Sequence, residues 1–211
     1  MSVSGKAGRG RRARTDIDAS RGRQARVLRI IGGTWRGRRW RFPSSPSIRP
    51  TPDRVRETLF NWLGPRILGA RCLDLFAGSG ALGLEALSRG AAHVTFVEQD
   101  PAAVGQLRTL LAQWGAHDAQ VECADAASWL RRPAAAFHFV FMDPPFESQL
   151  LATAAAALEA GGWLAPGAWV YVESSARSAL PPLPPGWRPY RGKRAGEVGY
   201  HLFETGPLQP P

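Results

Sequence analysis

Two short segments carry residue types and spacings that could do chemistry. Asp143-Pro144-Pro145-Phe146 follows the apolar run 139–142, and Asp74-Leu75-Phe76-Ala77-Gly78-Ser79-Gly80 grows out of another apolar run. Guanine N2 and adenine N6 are poor nucleophiles because their lone pairs are delocalised into the ring. Acceptors on the two amine hydrogens turn that lone pair outward, and an Asp143 carboxylate with the Pro144 carbonyl can supply them. The prolines fix an extended turn and remove competing N–H donors. Phe146 can stack on a base and set its plane. Catalysis of this kind works by positioning and electrostatics, without a covalent intermediate.

The glycine turn is the complementary half. Gly78, Gly80 and Gly83 satisfy G-x-G-x-x-G, which alone fits a nicotinamide cofactor equally well. Phe76, Ala77, Gly78, Ser79 and Gly80 let the backbone approach a nucleoside. Glu98, with Gln99, ends the next strand, where a carboxylate can accept both ribose hydroxyls. Three features favour S-adenosylmethionine. Asp74 can meet the cofactor's ammonium, whereas it would repel a pyrophosphate. Asp125 can accept from the adenine amine, with the Ala126 N–H beside it. Asp143 and its prolines have no part in hydride transfer. The plainer alternative for Asp74, Glu98 and Asp125 is that strand-end acids cap the following helices. Together the two turns imply methyl transfer from S-adenosylmethionine to a base nitrogen.

The positioning elements read as alternating strands and helices. Strands are expected over 72–76, 93–98, 120–123, 139–142 and 169–173, and helices over 81–89, 101–115, 126–131 and 148–160. Such alternation means βαβ units and a parallel sheet with helices on both faces. Segments 187–194 and 197–204 read as an antiparallel hairpin around Ala195-Gly196. The expected fold is therefore α/β, a class I S-adenosylmethionine-dependent methyltransferase: Rossmann-like, with a mostly parallel seven-stranded sheet, an antiparallel C-terminal hairpin and a small N-terminal β-hairpin extension. That hairpin is expected from strands at 27–31 and 35–42. Asp53 is expected to cap a helix ended by Gly64-Pro65. The domain reading is a disordered basic tail at 1–26, an RNA-binding hairpin at 27–48, a catalytic domain at 49–206 and a short tail at 207–211.

Charge separates these parts. The 211-residue chain has a net charge of +10, but residues 1–41 hold 13 Lys or Arg against 2 Asp, leaving 14 basic and 15 acidic residues elsewhere. An anionic partner is implied, and nucleic acid fits best. Cys72 and Cys123 lie in strand-like runs and are expected as buried thiols in a reducing compartment. No apolar stretch of transmembrane length and no signal-peptide pattern is present, so a cytoplasmic location is expected, with no membrane partner. The four histidines show no ligand spacing, and no metal is expected.

These residues resemble the bacterial 16S ribosomal RNA guanine-N2 methyltransferase D family. The likeness runs over 27–204 and rests on Arg29-Ile30-Ile31-Gly32-Gly33 with Arg36-Gly37, on Arg49-Pro50-Thr51 with Asp53 to Asn61, on the two turns, and on Lys193-Arg194-Ala195-Gly196. The resemblance implies methylation of one guanine, conventionally numbered 966, within a 30S subunit or an assembly intermediate. A monomer is expected, although no residue pattern in the sequence sets the oligomeric state. Arg29, Arg36, Arg38, Arg49, Thr51, Arg54, Arg56, Asn61 and Lys193 are then the expected RNA contacts. Trp35 or Trp40 is available to stack on a base. Segment 49–61 would close over cofactor and base, or Arg54, Arg56 and Glu57 would simply be a solvated face. The rivals are a DNA adenine-N6 or protein-glutamine methyltransferase, and a non-catalytic ribosome-assembly factor on the same fold. A nicotinamide dehydrogenase is more distant.

Overall fold

The computed structural model describes Met1 and residues 26–42, 51–145 and 149–206. Arg49, Phe146, most of the basic tail, most of the 43–52 loop and the C-terminal tail lie outside the described residues. Five parallel strands run from one edge of a seven-stranded sheet: β3 (Arg71–Asp74), β4 (His93–Glu98), β5 (Ala119–Cys123), β6 (Phe137–Met142) and β7 (Leu164–Ser175). β8 (Trp187–Ala195) and β9 (Val198–Thr205) pair antiparallel with each other, and β9 runs antiparallel to β7. The order is β5-β4-β3-β6-β7-β9-β8, so the chain reverses direction across the sheet between β3 and β6. In open α/β sheets that switch point is where ligands bind, beyond the carboxyl ends of the strands.

One face of the sheet carries α1 (Asp53–Leu63), a 3-10 turn (Gly64–Ile67), α2 (Ala81–Ser88) and α3 (Pro101–Trp114). The other carries α4 (Ala126–Trp129) and α5 (Leu150–Ala160). The α/β class and both hairpins agree with the expected fold. The boundaries move. β7 extends five residues further than expected toward its start, because Ala165, Pro166 and Gly167 give no apolar signal although they continue the strand.

The N-terminal hairpin, β1 (Arg26–Arg29) and β2 (Arg39–Phe42), packs into the main core through Leu28, Ile30, Trp40 and Phe42. Burying the aliphatic members contributes roughly 2 kcal/mol each. Its docking is set by Glu85 of α2, which is fully buried. Glu85 accepts the backbone N–H groups of Ile31 and Gly32, each at 2.8 Å. Gly33 has φ +78°, and a Cβ there would stand 1.8 Å from the Ser88 carbonyl oxygen. Of the paired glycines after β1, Gly33 is therefore required by this close approach.

Several expectations are corrected here. Asp53 does not cap α1: Pro52 is the cap, its carbonyl accepts the N–H groups of Val55 and Arg56, and the Asp53 carboxylate is taken by Arg29 and Arg56. Trp40 is not available to stack on a base, since it is buried and T-shaped against Trp114. Cys72 is buried as expected, but Cys123 is exposed, because β5 is the outermost strand and Cys123 is its last residue.

Candidate active site

A cleft of about 490 Å³ opens at the carboxyl ends of β3, β4, β6 and β7. It is lined by both turns singled out in the sequence, together with Gln99, Asp125, Ala126 and Thr51. Gly78 and Gly80 have φ of 51° and 75°, a region L side chains rarely adopt. The turn is tied to β4: Ala77 donates to the Val97 carbonyl at 2.9 Å, and Gly78 donates to Glu98 Oε2 at 2.7 Å. The third glycine answers to packing. A Cβ on Gly83 would stand 2.2 Å from the Phe96 ring, so only glycine lets α2 lie this close to β4.

Asp74, Glu98 and Asp125 each have a backbone partner. Asp74 is buried and accepts the Gly83 N–H at 2.9 Å. Its pKa is pushed up to about 7, chiefly by burial and further by the negative charges of Glu98 and Glu173, against the lowering effect of the Gly83 hydrogen bond. Glu98 also accepts the Asp100 N–H at 2.8 Å. Asp125 caps α4 through the Ser128 N–H at 2.9 Å, and hydrogen bonding by Ser128 holds its pKa low. Capping and ligand binding are thus compatible: every carboxylate keeps lone pairs beyond those its backbone partner uses.

Asp143 is half-buried where β6 ends, with Pro144 buried behind it. The Thr51 hydroxyl donates to Asp143 Oδ2 at 3.4 Å, which brings the segment before α1 onto the acid-Pro-Pro turn. The sequence reading placed Thr51 among the RNA contacts; here it is buried in the wall of the cleft beside Asp143. The reading missed Glu173, a buried acid at the cleft wall whose Oε1 accepts the Tyr171 O–H at 2.8 Å. Its signal was the expected strand 169–173 ending on an acid, the same pattern that revealed Asp74 and Glu98.

The charge of the lining discriminates between ligands. Among the described residues it holds six carboxylates and no Lys, Arg or His: Asp74, Glu98, Asp100, Asp125, Asp143 and Glu173. Such a cleft repels a pyrophosphate and suits a nucleoside bearing net positive charge. The glycine turn, the strand-end acids and this charge fit S-adenosylmethionine. Among the described residues no group of three or more His, Cys, Asp or Glu could hold a metal ion, and no helix is long and apolar enough to cross a membrane.

The expected RNA contacts divide. Arg29, Arg36, Arg38, Arg54, Asn61 and Lys193 are exposed. Arg29 reaches Asp53 at 2.6 Å, and the Arg38 guanidinium lies 5.5 Å from the centre of the Trp114 ring. Arg56 is fully buried, bonded to Asp53 at 2.6 Å, to the Arg29 carbonyl at 2.8 Å and to Glu85 at 3.4 Å. It is neither a solvated face nor accessible to RNA, but an internal brace that joins α1 to the hairpin and to α2.

Comparison with known proteins agrees with this architecture. The family described as "Conserved hypothetical protein 95" matches residues 28–204. Ribosomal RNA small subunit methyltransferase D of Escherichia coli (strain K12) is 52% identical over 177 residues, covering 84% of this chain and 89% of that protein. Its namesake in Haemophilus influenzae is 44% identical, covering 84% and 94%. Among solved structures, a putative methyltransferase from Escherichia coli superposes with a TM-score of 0.82 at 49% identity, covering 87% of this chain and 99% of that one. An RNA methyltransferase from Salinibacter ruber, solved with S-adenosyl-L-homocysteine, shares the fold at a TM-score of 0.58 and 18% identity, covering 77% and 97%. With the match spanning both hairpins, both turns and the whole sheet, the chain belongs to the ribosomal RNA small subunit methyltransferase D family.

Proposed function

We propose that this chain methylates the exocyclic N2 of one guanine, of the 966 type, in 16S ribosomal RNA within a 30S subunit or an assembly intermediate. It is an S-adenosylmethionine-dependent RNA methyltransferase, as its family and its cleft indicate. Action on the bacterial small subunit makes it a cytoplasmic enzyme. The observation that carries the reading is the acid-Pro-Pro turn facing the glycine turn across an all-acid cleft, with Thr51 on Asp143.

S-adenosylmethionine, when bound, supplies a methyl group activated by its sulfonium. The chain's own residues do the rest. Asp74 takes the ammonium, Glu98 the ribose hydroxyls and Asp125 the adenine amine. Guanine presents N1–H and N2–H as adjacent donors, which match the Asp143 carboxylate; adenine offers an acceptor beside its donor and matches an amide better. The Pro144 carbonyl accepts the second amine hydrogen, and the N2 lone pair turns out of conjugation. The Asp143 charge then stabilises the positive charge that builds on N2, and its carboxylate accepts the N2 proton that must leave once the methyl group has transferred. Phe146 stacks on the base.

The acid cleft repels phosphate, so the RNA must present an unstacked base to it. Exposed Arg29, Arg36, Arg38, Arg54 and Lys193 hold the backbone around its rim, with Asn61 beside them. Asp143→Asn tests the reading. It should lower kcat at least a hundredfold while cofactor affinity stays within about threefold, as expected for a group acting on the transition state. Unchanged turnover would remove the base-recognition role.

A further inference from the structure

We propose that the outer strand β8 and the 3-10 turn after α1 form a second RNA-binding surface, which grips the substrate's phosphates and stacks an unpaired base on Tyr190. The inference rests on the reading of this chain as an RNA methyltransferase.

β8 is the outermost strand at the end of the sheet away from β5, and every residue from Arg188 to Arg194 is exposed. Its nine residues include Arg188, Arg191, Lys193 and Arg194 and no acid. Arg188, Arg191 and Lys193 pair with Glu204, Leu202 and Tyr200. Paired residues share a face, and Leu202 and Tyr200 belong to the core beneath α1. The three bases therefore project on the side that carries α1 and the N-terminal hairpin.

Aromatic rings lie among these charges. The Tyr190 ring, at the register shift of β8, is 4.9 Å from the Trp169 ring at an interplanar angle of 77°. The Arg191 guanidinium lies 5.1 Å from the Tyr190 centroid, and that of Arg66, in the 3-10 turn, 5.3 Å from the Trp169 centroid. Tyr190 is 41% exposed. Among the described residues, only Arg188 of these bases reaches a carboxylate, Glu204 at 3.4 Å. Guanidinium groups interleaved with an open aromatic ring suit single-stranded RNA, with phosphates on the cations and a base on the ring.

An edge strand also needs charge, proline or a bulge to prevent pairing with other chains, and β8 has all three. Charges of either sign serve that purpose. Outside residues 1–41 the chain has 14 basic and 15 acidic residues, so four bases without an acid in nine positions do not follow from composition. Position matters as well. Ala195 pairs with Val198, which lines the cleft, so the Lys193 end of the row opens beside the active site. From there the row runs roughly 15 Å along the strand to Arg188. The N-terminal hairpin is held on α2 and α3, on the other side of the cleft. RNA bound on both surfaces would hold the target nucleotide over the cleft from two sides.

The test compares wild type with R66E/R191E, Y190A and R66K/R191K. Binding to small subunits that lack the methyl mark would be followed across a salt titration. Cofactor affinity and thermal unfolding would be measured in parallel. R66E/R191E should weaken subunit binding tenfold or more and flatten the salt dependence by about 1–2 units of slope. KM should rise with it while kcat at saturating subunits, cofactor affinity and melting stay as in wild type. Y190A should weaken binding about fivefold or more with the salt slope kept, and R66K/R191K should keep both. Wild-type affinity and slope in R66E/R191E would overturn the proposal; aggregation without a change in binding would do so too and leave edge protection as the role of the row. The two readings fail separately. A wild-type protein that binds subunits but makes no N2-methylguanosine removes the proposed function, whereas normal methylation with unaltered binding by R66E/R191E removes the second surface.

Discussion

The Trp40 indole N–H donates to the Ser79 carbonyl oxygen at 3.2 Å, which ties the N-terminal hairpin to the glycine turn of the cofactor cleft. The two residues are 39 apart in sequence, and the bond is buried. The element rich in exposed arginines is thereby fixed to the element that shapes the cofactor site.

Trp40→Phe keeps an aromatic ring and removes that bond, leaving the Ser79 carbonyl short of a partner. Stability should fall by about 1–2 kcal/mol, read by denaturant unfolding. Cofactor affinity should fall with it, by about threefold or more, because the turn loses a restraint. A variant destabilised to this extent but with wild-type cofactor affinity would show that the hairpin does not brace the turn.

Glu85 carries more. Its two oxygens serve Ile31, Gly32, Arg56 and Arg89. Glu85→Ala leaves the fully buried Arg56 guanidinium without that acceptor. Removing one partner of a buried ion pair costs about 3–5 kcal/mol, much of it the stranded charge. Glu85→Ala with Arg56→Met should recover part of the loss. A single variant within about 1 kcal/mol of wild type in urea would contradict the bracing role.

Asp74 makes stability and cofactor binding depend on pH in opposite senses. Its native pKa, about 7, lies above the ordinary 3.8, so folding takes up a proton between those values. Its contribution to apo stability is full below about 4 and is lost as pH rises through 7. Asp74→Asn, which can still accept from Gly83, should therefore stabilise the apo protein at pH 8 by about 2 kcal/mol. The cofactor ammonium needs the ionised form. Affinity should drop as pH falls below 7, by up to about tenfold per unit, and in Asp74→Asn it should be weak and flat with pH. Calorimetric titration between pH 5.5 and 8.5 reads both. A flat wild-type profile would exclude an ionised Asp74 as the ammonium's partner.

Gly83→Ala would force a methyl to within 2.2 Å of the Phe96 ring. Overpacking of this kind costs about 1–3 kcal/mol. α2 must move off β4, so the glycine turn at its start should bind cofactor less tightly. Wild-type melting and affinity in this variant would show that the helix has slack the packing does not suggest.

The cleft was legible in the sequence because its parts sit at strand ends, where apolar runs stop at glycines or acids: Asp74, Glu98, Asp125 and Asp143 all line it. Long-range polar contacts left no such trace. Arg56 looked like a surface residue because its burial depends on Glu85, 29 residues away, whose other partners come from the hairpin. Trp40 among arginines resembled a stacking residue until α3 supplied Trp114 to cover it. Cys123 failed for a related reason, since an apolar strand does not reveal whether it lies at the centre or the edge of its sheet.

The most direct test uses small ribosomal subunits from cells that lack this methyl mark, incubated with the protein and labelled S-adenosylmethionine, with the RNA then digested to nucleosides. The account predicts label in N2-methylguanosine, mapped to a single site and lost in Asp143→Ala while that variant still binds cofactor. Label in another nucleoside, or no transfer by a protein that binds the cofactor, would contradict it.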